Sequence, residues 1–78
     1  MELEINQTIH YFPDNLAVSY GAGDVGLSLK QVMAFLYKDN QQGLAVAVDN
    51  QVIARADWSN TFLKTKDKLL ILTASQGG

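Results

Sequence analysis

The sequence predicts an α+β fold, a mixed five-stranded sheet with one main helix packed across one face, on the strength of three stretches. Leu3 and Ile5 alternate with Glu2, Glu4 and Asn6, the period-2 pattern of a strand with one buried side. Leu29, Val32, Met33 and Leu36 fall at helical spacing and form a single apolar stripe. Leu69-Leu70-Ile71-Leu72 is apolar at every position, as expected of a strand in the middle of a sheet, buried on the helix side and largely covered on the other.

Composition narrows the function. A chain of 78 residues with 47% apolar content makes one small domain, 1–78, with an economical core. It has no cysteine, so a disulfide framework, a cysteine-based zinc site and a catalytic thiol are excluded, and any sulfur chemistry must use sulfur brought from elsewhere. The formal charge is −2 and the cations are scattered, with only Lys64, Lys66 and Lys68 close together, so a nucleic-acid partner is not expected. Met1-Glu2-Leu3-Glu4 is unlike a signal peptide, and no apolar run approaches the roughly 20 residues that span a membrane. A soluble, cytoplasmic protein is the expectation.

Taken in order, the first strand turns at Gln7-Thr8 into a second, Ile9-His10-Tyr11-Phe12, which stops at Pro13-Asp14-Asn15. His10 is the single histidine; with no serine, cysteine or carboxylate set beside it by any motif, it reads as an ordinary strand residue. Leu16 to Tyr20 reads as a short strand or an irregular apolar loop, and the whole of 14–27 as a loop insertion. The helix follows. Ser28 and Gln31 have capping-box spacing, Phe35 and Tyr37 flank the stripe and widen it, and Lys38 lies in the last turn, where a cation suits the helix dipole.

Leu44-Ala45-Val46-Ala47-Val48 alternates larger and smaller apolar residues, so one face of this strand packs tightly and the other lightly. Asp49-Asn50-Gln51 turns the chain into Val52-Ile53-Ala54, with Asn50 suited to a positive φ. Trp58 to Leu63 lacks strand alternation and is expected as a helical turn closing the core. Lys64 to Asp67 leads to the last strand, 68–73, and then to a flexible tail, 74–78, that ends Gly77-Gly78. The order β-β-loop-α-β-β-turn-β is the β-grasp arrangement of ubiquitin-like proteins.

Gly21-Ala22-Gly23-Asp24-Val25-Gly26 matches the G-x-G-x-x-G phosphate fingerprint as a string, which makes a nucleotide-binding module the remote alternative. Against it, the chain ends before a second βαβ half, and the best N-cap, Ser28, comes after Gly26 and not before it.

The stretch Gly43-Leu44-Ala45-Val46-Ala47-Val48-Asp49-Asn50-Gln51-Val52-Ile53, followed by Arg55 and Trp58, resembles the signature of the ThiS family, sulfur carriers of thiamine thiazole synthesis. Leu63, Asp67, the apolar strand and Gly77-Gly78 resemble that family's C-terminal half in order and spacing. Three positions depart from the family pattern. Residues 14–27 replace a short turn with an insertion of roughly ten residues, Ala54 stands where many members have proline, and Lys66 stands where glycine commonly precedes the aspartate.

The resemblance implies a protein that is not an enzyme and binds no cofactor. A ubiquitin-activating-enzyme-like adenylyltransferase (ThiF-like), using ATP and magnesium, would adenylate the Gly78 carboxylate. A cysteine-derived sulfur donor would convert it to a thiocarboxylate, and a thiazole synthase (ThiG-like) would take the sulfur. Gly77 would give the tail a slender approach through a narrow channel. Strand alternation puts Leu69 and Ile71 on one face and Leu70 and Leu72 on the other; the resemblance to ubiquitin-like proteins implies that the first pair faces the helix and that the second is partly exposed, where with Ala74, Ser75 and Gln76 it would dock partner enzymes. Two related functions end in the same glycines: the small subunit of molybdopterin synthase, whose usual tail has prolines absent from Thr73-Ala74-Ser75-Gln76, and a ubiquitin-like protein modifier.

Overall fold

The computed structural model describes residues 1–20, 24–38 and 42–73. The chain runs through β1 (Glu2–Ile5), β2 (Thr8–Tyr11), a 3-10 turn (Asp14–Leu16), β3 (Val18–Tyr20), β4 (Asp24–Ser28), α1 (Leu29–Tyr37), β5 (Leu44–Val48), β6 (Gln51–Ile53), a 3-10 helix (Arg55–Asn60), β7 (Phe62–Leu63) and β8 (Lys68–Thr73). Among the described residues, the main sheet has five strands in the order β2-β1-β8-β5-β6. β1 and β8 run parallel at its centre, with Ile5 opposite Leu69, and every other pairing in it is antiparallel. This is the expected α+β β-grasp sheet. No helix of the described residues is long and apolar enough to cross a membrane.

Both hairpins of this sheet close with two residues at positive φ, Asn6 and Gln7 at 51° and 69°, and Asp49 and Asn50 at 50° and 69°. Such turns match the twist of the strands they join. The first turn lies one residue earlier than the sequence suggests. Thr8 is β-branched and disfavours positive φ, whereas Asn6 tolerates it, so Thr8 goes into β2. Likewise Gln51 belongs to β6 and not to the turn.

The core lies between the main sheet and α1. Leu3, Ile5, Val46, Leu69 and Ile71 from the sheet meet Leu29, Val32 and Met33 from the helix, and Leu27, Trp58 and Leu63 close the margin. The capping box is present: the Gln31 N–H donates to Ser28 Oγ at 3.1 Å, and the Ser28 N–H donates to Gln31 Oε1 at 3.3 Å. Two expectations for the helix need correction. Lys38 is the C-cap, at φ 54°, and not a last-turn residue, because the helix ends where its backbone turns left-handed. Phe35 does not widen the buried stripe; it is half exposed, and its ring tilts against Phe12 at 5.2 Å.

The larger correction concerns 14–27, expected as a loop insertion. Its described residues form the 3-10 turn and the antiparallel hairpin β3–β4, and β4 then pairs with β7 through Leu27–Leu63 and Ser28–Phe62. A second sheet, β3-β4-β7, results. The helical turn expected over Trp58–Leu63 begins earlier, at Arg55, and gives way to β7. A two-residue strand carries no periodicity, and its partner is more than thirty positions away in sequence, so local pattern could not show it.

Residues of the family-like signature hold a corner together. Trp58 is buried, and its indole Nε1–H donates to the Ile53 carbonyl at 3.1 Å. The Arg55 guanidinium lies 5.1 Å from the Trp58 ring centroid, where ring and cation attract. At the start of the chain, the Met1 ammonium lies 2.7 Å from Asp14 Oδ1 and donates to the Phe12 carbonyl. The hydrogen bond that the ammonium donates to Asp14 Oδ1, and then its charge, hold the Asp14 carboxyl below its ordinary value.

If the β3–β4 hairpin is part of the core, Leu27→Ala should lower stability by about 2–5 kcal/mol in denaturant titration; a decorative loop would lose a few tenths at most. Two of the three departures from the family pattern occupy backbone that suits the family residue. Ala54 sits at φ −61°, ψ 143°, which proline would fix, and Lys66 sits at φ 75°, the third residue of a turn closed by Asp67 N–H to Lys64 carbonyl. Ala54→Pro and Lys66→Gly should each stabilise by roughly 0.4–1 kcal/mol, read as a raised denaturation midpoint.

Candidate functional site

β8 carries the chain toward its end, and its two faces have different surroundings. Leu69 and Ile71 are buried at 4% and 6% exposure, whereas Leu70 and Leu72 stand at 46% and 53%. This is the alternation expected from the sequence. The helix covers one face of the sheet, and neither it nor the β3–β4 hairpin shields Leu70 and Leu72.

The neighbours on the open face follow from register. Leu72 lies opposite Ala45, Leu70 opposite Ala47, and Ala47 opposite Val52 on β6. Residues directly opposite on paired strands share a face. The two alanines are the lightly packed side of β5 that the sequence suggested, and their small side chains leave both leucines standing clear. On the other side of β8, Lys68 lies opposite Glu4, Glu4 opposite Ile9, and Glu2 opposite Tyr11. Ile9, Tyr11 and Val52 are exposed large apolar side chains on the same face as the leucines. A shallow hollow of about 370 Å³ adjoins Leu70, between the Asn6-Gln7 and Asp49-Asn50 turns, with Glu4 and Lys68 in its lining. The face therefore combines a strip of aliphatic side chains with a charged border, the composition of a protein-recognition surface.

Asn6 bonds directly to β8. Its backbone N–H donates to the Leu69 carbonyl at 3.0 Å, its Nδ2–H donates to the Ile71 carbonyl at 3.1 Å, and its Oδ1 accepts from the Ile71 N–H at 2.8 Å.

Among the described residues there is no group of three or more His, Cys, Asp or Glu able to hold a metal. His10 is half-buried on β2 opposite Leu3. The glycine string does not form the phosphate fingerprint: Gly26 lies in β4 opposite Val18, one element before the helix, whereas the fingerprint needs its third glycine inside the helix. Gly21 and Gly23 lie outside the described residues, as do Ala74, Ser75, Gln76, Gly77 and Gly78.

Of the expected site residues, then, the described structure brings Leu70 and Leu72 to one open face. It adds Ile9, Tyr11 and Val52, which sequence reasoning missed although a two-residue turn at Asn6-Gln7 sets Ile9 opposite Glu4.

A model of the ThiS family matches residues 21–78. The chain belongs to the ThiS family. Its members are small sulfur carriers and not enzymes themselves, and sulfur carriage is the role of this chain. The fold is similar to the crystal structure of the thiamine biosynthesis protein ThiS from Geobacter metallireducens, with TM-score 0.71, 20% identity and all of both chains covered. No curated protein matches the sequence. The ThiS family match begins at residue 21 and so includes β4, α1, β5, β6, the 3-10 helix Arg55–Asn60, β7 and β8, while the likeness in fold extends over the β1–β2 hairpin as well.

The alternation along β8 can be checked by paired substitutions. Ile71→Ala should cost about 2–5 kcal/mol, whereas Leu72→Ala should stay within roughly 0.5 kcal/mol of the parent, both by denaturant titration. Equal losses would show that the two faces are equally packed.

Proposed function

We propose that this ThiS-family carrier serves thiazole formation in thiamine biosynthesis, in the cytoplasm, through a thiocarboxylate on Gly78. A ThiF-like adenylyltransferase binds ATP and magnesium; the carrier itself holds neither. The Gly78 carboxylate attacks the α-phosphorus of ATP, and pyrophosphate leaves. An ionised carboxylate is a poor electrophile, and the acyl-adenylate replaces it with a carbonyl carrying a good leaving group. Sulfur derived from cysteine and delivered at the sulfide level, as hydrosulfide, then attacks that carbonyl; the new C–S bond forms, the C–O bond to AMP breaks, and the proton goes to solvent, leaving the thiocarboxylate. A ThiG-like thiazole synthase takes the sulfur.

The observation that carries this reading is the pair Leu70 and Leu72, half exposed on the strand that runs into the tail. A docked face at that point brings Ala74, Ser75 and Gln76 against the partner and delivers Gly77 and Gly78 into its active site. Gly77 has no side chain to obstruct a narrow channel. The absence of cysteine agrees with a carrier whose sulfur comes from elsewhere. The absence of proline from Thr73 to Gln76 favours the thiazole branch over a molybdopterin-synthase subunit. Ordering of side chains and backbone on binding costs entropy, which keeps a complex of this kind reversible, as a carrier requires.

Incubation with the adenylyltransferase, ATP-magnesium and a sulfur donor should add about 16 Da, one oxygen replaced by sulfur, confined to Gly78 on intact mass and fragmentation. Leu72→Glu should keep the folded domain and abolish that gain. Normal adenylation of Leu72→Glu would remove the docking role, and an unmodified parent protein would remove the thiocarboxylate reading.

A further inference from the structure

β1 ends at Ile5, and its partner β8 runs on to Thr73. The Cα pairing between them stops at Ile5–Leu69, because the chain turns back at Asn6-Gln7. The backbone groups of Ile71 point to the β1 side, as those of Asp67 and Leu69 do, whose carbonyls accept from Glu4 and Asn6. Without a strand residue opposite, Ile71 would present an unpaired N–H and an unpaired carbonyl at a partly buried edge. The Asn6 carboxamide fills that place: Oδ1 takes the Ile71 N–H and Nδ2–H binds the Ile71 carbonyl, at 2.8 and 3.1 Å. A primary amide offers a carbonyl and an N–H side by side, so one side chain reproduces both bonds of a further rung. The residue also satisfies a second demand, since it sits at φ 51° in the turn, where Asn is favoured over most residues.

We propose that Asn6 is a positioning residue for the tail. Its carboxamide extends the parallel pairing of the sheet by one rung beyond the end of β1, and thereby sets the direction in which the chain leaves Thr73 toward Gly78. Past Ile71 the strand is paired on the β5 side, through Leu72–Ala45 and Thr73–Leu44. The Asn6 amide is thus the last restraint that the β1 hairpin places on β8. Loss of it would let the end of β8 pivot about its β5 pairing, which would shift Leu72 and Thr73, the point from which the chain continues. The catalytic consequence rests on the adenylation reading above; the structural part does not.

Asn6→Gly separates the two jobs of the residue, because glycine keeps the left-handed turn and removes the amide. Gln7→Gly, in the same turn, is the control. For Asn6→Gly, amide exchange at Ile71 should accelerate on the order of tenfold or more, and 15N relaxation should show added motion at Thr73, with Trp58 fluorescence unchanged. In adenylation by the partner enzyme, KM for the carrier should stay within about twofold while kcat falls on the order of tenfold, since misplacement of a reacting group affects the chemical step. Gln7→Gly should match the parent in amide exchange at Ile71 and in 15N relaxation at Thr73. Unchanged exchange at Ile71 and motion at Thr73 would overturn the proposal, as would altered motion with an unaltered kcat. If the parent protein is not adenylated at all, the functional reading fails, and the relaxation data alone decide whether Asn6 orients the end of β8.

Discussion

The two-sided pairing of β8 is the constraint on which the rest of the structure depends. β1 holds it in parallel and β5 in antiparallel register, so its backbone is committed to the sheet on both edges. With that register set, side-chain alternation gives Leu69 and Ile71 to the core and Leu70 and Leu72 to the opposite face. A slip of one residue would exchange the two sets, turning Leu69 and Ile71 out to solvent and Leu70 and Leu72 in toward the helix. The helix covers a single face, so a single strand both anchors the core and lines the open face opposite it.

The residues by which the chain resembles its family are mostly architectural. Trp58 fills the core margin and bonds to the Ile53 carbonyl, and Arg55 lies over its ring. Asp49 and Asn50 supply the positive φ values of the β5–β6 turn. Asp67 caps its own turn by accepting the Lys64 N–H through Oδ2. For a sulfur carrier, the described structure provides a packed domain with an open apolar face along its last strand, which ends at Thr73.

The β3–β4 hairpin shows how a segment can enlarge a small core without altering the working face. Leu27 is fully buried, and β4 pairs with β7 on the far side of α1's N-terminus, where the Leu29 N–H also donates to the Thr61 carbonyl. The additional strands form their own sheet, away from Leu70 and Leu72. A chain of this size buries a modest share of its surface, so apolar residues such as Leu27 contribute more as core than as loop.

Local chemistry determined much of this protein from sequence alone. Alternation at Leu3 and Ile5, the stripe from Leu29 to Val32 and Met33, the Ser28–Gln31 capping box and the sorting of residues 69 to 72 between two faces each depend on neighbours within a few positions, and each is present in the fold. The family resemblance rested on the same kind of contiguous residues. What tertiary structure decided was pairing between distant segments. Leu27 meets Leu63, Ile9 joins the leucines across β1, and Asn6 reaches Ile71 from 65 positions away. Glycines 21 to 26 read as a loop or a phosphate fingerprint because a strand that contains Gly26 has no periodic signal of its own; only its partners, Val18 and the β7 residues, make it one. Hydrogen bonds between strands are satisfied by whatever backbone the fold brings alongside, and no local pattern in a single sequence names that partner.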